Sequence, residues 1–399
     1  MKETRTQTRR QILKATATGV ALTAVAPMLN LGRFRLFASA ATYSARCVDL
    51  VEGSLVIDML SPLTINSETQ ERWGPGGDGF SDDDRAEFRA SGIDVFHTAF
   101  GIGGKTPHDV YDNTLAYVAQ LNAIVASRPD VFMRIDSAAD LEKIHQADRV
   151  GVLIGVQDAA HFRNPDDVNL FHSLGQRVAQ LTYNARNMIG NGSTERIDGG
   201  VSDFGASIIA RMNEAGMTVD VSHCGDRTTL DAFELSSKPV LITHSNARAL
   251  CPGHPRCKTD EAIKAMAAAG GVMGITGVRM FVKNDEPTTL EHYLDHFDHV
   301  RDLVGIEHVG IGSDVDLHGY DDLPSEQYEQ LKAAYKDSYG FRDKIDIEGV
   351  DHPQRMFDLT EGLLGRGYSD EHVRLILGEN FRRVLGETWE PTPTGGDSE

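Results

Sequence analysis

Residues 217–223 read MTVDVSH and residues 239–245 read PVLITHS. Each stretch alternates apolar and small polar residues as a half-buried strand does, and each reaches a histidine at its end. His223 and His244 are 244 − 223 = 21 residues apart, one strand–helix–strand step. Two consecutive parallel strands of that spacing would carry their imidazoles side by side on one rim. A lone histidine on an apolar strand is usually a packed core residue, but a matched pair reads as a ligand pair, since neutral imidazoles bind zinc well.

Working outward, the same alternation of strand and helix runs from residue 54 to residue 316. Strands are predicted at 54–60, 93–100, 150–157, 177–184, 217–223, 239–245, 271–276 and 308–316. Helical periodicity falls between most of them, at 108–127, 137–146, 203–215, 226–236, 259–269 and 289–304, and two more helices at 354–365 and 370–386 end the chain. Eight short strands in one βα succession predict an α/β fold of the (β/α)8 TIM-barrel type with C-terminal helices. An open doubly wound sheet is disfavoured because no GxGxxG follows the first strand, and GIGGK at 101–105 lacks the spacing of a phosphate loop. The acidic stretch 317–353 reads as an excursion after the last strand. The barrel is expected to span 45–388, with a disordered tail at 389–399.

The 399 residues carry a net charge of −20, which argues against a nucleic-acid partner, because phosphate binding needs clustered Lys and Arg. The first forty residues read as a twin-arginine export signal, with TRRQILK at 8–14, a mild apolar run at 15–31 and ASA at 38–40. That run includes Thr, Gly, Pro and Asn, so no stable membrane anchor is expected, and the destination is the periplasm. Four cysteines without a CxxC argue against a zinc–thiolate site. In an oxidising compartment Cys251 and Cys257, in CPGHPRC, are the pair nearest in sequence for a disulfide.

In a barrel of this type the polar residues at strand ends define the site. Beyond the histidine pair these are Asp58, His97, Gln157 with Asp158, Tyr183 and Asp314, while His161 and Arg256 lie in the following loops. Asp314, in GIGSDVD, suits proton transfer. The Arg256 guanidinium suits a substrate carboxylate.

Taken together, MNEAGMTVDVSH (212–223), KPVLITHSNARAL (238–250), HPR (254–256), GIGSDVD (310–316) and LGENFRRVL (377–385) resemble the membrane (renal) dipeptidase family of zinc metallopeptidases. The resemblance implies an amidohydrolase-type barrel, a small dipeptide-like substrate with a carboxylate, and a homodimer. By it, His223 and His244 bind one metal, Arg256 binds the substrate carboxylate and Asp314 is the acid/base. The chain departs from the family where the second metal would sit. The family's Asp-Gly-His-Asn-Asp on the first strand is Asp58, Met59, Leu60, Ser61, Pro62 here; the bridging glutamate is Gln157; and the histidine of LTHN is Tyr183. The expected reading is an exported dipeptidase-like metallohydrolase with at most one zinc, one or none, on His223 and His244, with Gln157 or Asp158 as weak further ligands. His97 or His161 can substitute from the rim. Tyr183 and Asp314 are the expected catalytic residues. The alternatives are a non-hydrolytic enzyme on an amino-acid-derived substrate and an inactive binding protein.

Overall fold

The computed structural model describes residues 42–334 and 339–390, with the backbone of Arg33–Phe34. The expected export signal and the tail beyond residue 390 otherwise lie outside the described residues. Among the described residues no helix is long and apolar enough to cross a membrane.

The eight predicted strands form at β1 Ile57–Asp58, β2 Val95–Thr98, β3 Val150–Val156, β4 Gln176–Gln180, β5 Thr218–Asp220, β6 Ile242–Ser245, β7 Met273–Ile275 and β8 Val309–Ile311. Strands β1 to β5 pair in sequence order, all parallel, and β6 to β8 do the same in a second group. The groups join into one ring. Asp220 bridges Leu241 in parallel between β5 and the start of β6, and Met59 N–H donates to Ile311 O at 2.8 Å between β1 and β8. A ninth strand, Phe132–Arg134, pairs with the first residues of β3.

The alternation along each strand sorts two apolar layers. Ile57, Met59, Val95, Leu153, Val178 and Leu241 pack with Phe381, Val384 and Leu385 of the last helix, which closes the N-terminal end of the barrel. The larger cluster, with Phe88, Phe96, Val152, Ile154 and Phe171, joins the outer strand faces to the helices. Each such fully buried side chain stabilises the fold by roughly 1.5–3 kcal/mol. The last helix runs through Trp389, where the tail was expected to begin. Gly216 ends the helix Asp203–Ala215 in the left-handed region at φ 78°, and a Cβ there would lie 2.8 Å from Trp389 O. Both conditions call for glycine.

Candidate functional site

The two histidines meet as the matching strand ends require. Their Nε2 atoms are 3.0 Å apart and both side chains are buried. Each Nδ1 faces an oxygen that can only accept. Asn184 Oδ1, which also accepts from the Tyr339 hydroxyl, lies 2.8 Å from His223 Nδ1. Thr243 donates its hydroxyl to Asp220 Oδ2 at 2.7 Å, so it accepts from His244 Nδ1 at 2.8 Å. Burial, reinforced by the Arg256 guanidinium, holds both imidazoles well below their ordinary pKa, so both rings are neutral. A neutral ring with its proton on Nδ1 presents a lone pair at Nε2. With the protons so placed, the two Nε2 lone pairs lie 3.0 Å apart, an arrangement that one shared cation would complete. Tyr183 stacks on His223, ring centroids 4.2 Å apart at 22°, and fixes its plane.

Arg256 lies beneath this pair and is 1% exposed. Its Nη2 donates to His244 O at 2.8 Å, and its Nη1 to Ser222 O and to Ser245 Oγ. The guanidinium thus braces the backbone on both histidine-bearing strand ends, while its buried Nε–H has no partner. An open two-pronged grip by Nη1 and Nη2 is not what the fold provides: of the five N–H groups, Nη1 commits both of its own and Nη2 one, which leaves Nε–H and one Nη2 N–H. Lys258 adds a second brace, donating to Val221 O at 2.7 Å and Cys224 O at 2.9 Å. Asp314 follows β8 and its N–H donates to Leu60 O at 2.8 Å. Burial pushes its carboxyl up from 3.8 to about 7, with Arg256 opposing the shift and Asp58 adding to it. Asn184 (φ 58°) and Asp314 (φ 62°) are the non-glycine residues in the left-handed region among the described residues. Asn184 bonds His223 and Asp314 lies within electrostatic reach of Arg256, and such backbone strain gathers where function fixes geometry.

The remaining candidates are held elsewhere. Gln157 donates its amide to Ala99 O at 2.9 Å. Asp158 caps the short turn Ala159–His161, accepting from Ala160 N at 3.1 Å and from Asn187 Nδ2 at 2.8 Å. Because β3 has ended at Val156, the carboxylate turns back to its own backbone. His161 is bonded to Asp158 O and Gln176 Oε1 and packs between Phe162 and Phe171. His97 donates Nδ1–H to Met59 O at 2.6 Å, and its buried Nε2 has no partner and points at Gly155. Among the described residues no three or more His, Cys, Asp or Glu gather as metal ligands, so Asp158, His161 and His97 do not join His223 and His244. The donor pair fits one ion. The end of β1 does not fit a second, since Leu60 and Pro62 are buried without donor atoms on their side chains. Nearby Asp58 is committed to Ser313 and to a fully buried ion pair with Arg355 at 3.1 Å.

Residues 45–334, more than half of the chain, match the family described as Membrane dipeptidase (Peptidase family M19). An uncharacterised protein in the pqqA 5′ region of Klebsiella pneumoniae is 30% identical over 71% of this chain and 98% of its own length. The dipeptidase tcpJ of Claviceps purpurea is 28% identical over 70% of this chain and 61% of its own, so the chain spans about six-tenths of that relative. A crystal structure of an amidohydrolase from Pseudomonas aeruginosa is 30% identical, with a TM-score of 0.72 over 86% of this chain and 99% of that one. With the barrel and the strand-end histidines, these similarities establish that the chain belongs to the membrane dipeptidase family.

Proposed function

We propose that the chain is an exported, dipeptidase-like metallohydrolase that cleaves a dipeptide or related small amide using one metal ion. The observation that carries this reading is the pair of Nε2 lone pairs 3.0 Å apart, each imposed by an acceptor on the far side of its ring. When bound, a zinc ion supplies a Lewis acid and a lowered water pKa. The chain's own residues do the rest. Arg256 offers its buried Nε–H to the substrate carboxylate, which orients the amide over the histidines. Asp314, whose carboxyl titrates near neutral, can take a proton and return it to the leaving amine. Tyr183 keeps the His223 ring in plane and covers one face of it. The leader with Arg9 and Arg10 supports twin-arginine export to the periplasm.

The test is hydrolysis of a panel of dipeptides, with and without a free C-terminal carboxylate, by the zinc-loaded protein. Turnover should favour the free carboxylate, and Arg256→Lys should abolish that preference while the protein stays folded by circular dichroism. Equal turnover of both substrate sets would remove Arg256 from recognition. A second reading, binding without turnover, draws on the lack of a third His, Cys, Asp or Glu ligand among the described residues. It predicts ligand binding by calorimetry with no product at all.

A further inference from the structure

We propose that Cys251 and Cys257 form a modification site, a paired dithiol that oxidises to a disulfide and staples the segment carrying Arg256. Both are thiols in the structure and both are fully buried. Their loop folds back through two successive turns, with His254 N donating to Cys251 O and Cys257 N to His254 O, each at 3.2 Å. The sulfurs then meet on one short helix. Cys257 Sγ donates to Phe281 O at 3.3 Å, and Cys251 Sγ lies 3.3 Å from Met280 O and 3.0 Å from Asn284 Oδ1. Adjacent carbonyls thus hold the two sulfurs side by side, the pre-arrangement that a disulfide needs. The other two cysteines have separate surroundings. Cys47 contacts Phe357 O, and Cys224 takes a bond from Thr182.

The contact also separates the roles of the two thiols. The neighbouring Cys257 thiol lowers the pKa of Cys251, while burial raises that of Cys257. Cys251 is therefore the first nucleophile. Its thiolate attacks one sulfur of a small-molecule disulfide oxidant, forming a mixed disulfide and expelling one oxidant thiolate. Cys257 then gives up its proton and attacks Cys251 Sγ, which releases the second oxidant thiol. Two protein thiols lose two electrons and two protons, and the oxidant disulfide becomes two thiols. Because both sulfurs are buried, exchange requires the loop to open or to be still folding.

The product would close a ring that contains His254 and Arg256. Arg256 braces the carbonyls of Ser222 and His244, and His254 Nε2 donates to Tyr339 O at 3.1 Å. The staple would tie the arginine to the histidine pair without adding a group to the site.

The experiment refolds the full chain in oxidised glutathione or in dithiothreitol, then counts thiols under denaturing conditions and maps linked peptides by mass spectrometry. The expected result is four thiols from the reducing arm and two from the oxidising arm, with one Cys251–Cys257 linkage. The oxidised protein should melt higher by about 3 °C, and Cys251→Ser should show no difference between arms beyond that of glutathione adducts. Four thiols in both arms, or a linkage to Cys47 or Cys224, would overturn the proposal. These wild-type counts decide it even if the serine variant does not fold.

Discussion

The least visible residue of the site is Thr243. Its single hydroxyl joins His244 Nδ1 to the Asp220 carboxylate, and Asp220 also takes the Ser222 hydroxyl at 2.6 Å and Thr243 N at 3.0 Å. Thr243→Val keeps the shape and removes the acceptor that sets the tautomer. Zinc affinity, measured by titration calorimetry, should fall roughly 10–100-fold, with the fold retained. Unchanged affinity would show that the His244 tautomer does not depend on Thr243. Asp314 gives a pH signature. Its folded pKa, about 7, lies above the ordinary 3.8, so the folded state holds the proton more tightly than the unfolded one. Its contribution to stability is full below pH 3.8 and is lost as pH rises towards about 7. Asp346 and Asp158 are raised too, so the measurement is a difference: Tm against pH for wild type and for Asp314→Asn. The variant should lose less Tm between these limits than the wild type; parallel curves would refute the assignment.

At the scale of elements, the eight barrel strands were legible because buried apolar alternation is local. The strand Phe132–Arg134 was not, since three residues including Met133 and Arg134 set up no period. The helices Asp82–Ala90 and Ser325–Ala334 bury one residue and none, so they carry no apolar stripe for a sequence to display. The histidine pair was legible for the same reason as the strands. Asn184 and Tyr339 were not, because Tyr339 comes to His223 from 116 residues away. Asp158 misled because a carboxylate just past a strand reads equally as a ligand or as a cap. The close packing of β6 to β8 also rests on glycine. A Cβ on Gly312 would lie 1.9 Å from Thr243 O, a backbone atom that cannot swing aside. Gly312→Ala should therefore cost about 1–3 kcal/mol or more in chemical denaturation and should weaken zinc binding, because the displaced strand carries His244. A variant as stable as wild type would show that β6 has slack the packing does not suggest.

Across the whole molecule, the chain keeps the family's barrel and brings His223 and His244 together at its rim. The ring closes between β1 and β8 over Asp58, Ser313 and Arg355, which brings a residue near the start of the barrel into a buried ion pair with one from the C-terminal helices. That closure stands where the resemblance places the second metal's ligands, and it offers no free donor to a cation. The central claim is thus one ion, shared by His223 and His244. Equilibrium dialysis of the full chain against saturating zinc, followed by elemental analysis, tests it most directly. The account predicts one zinc per chain at saturation, lost in both His223→Ala and His244→Ala; two ions per chain, or none, would contradict it.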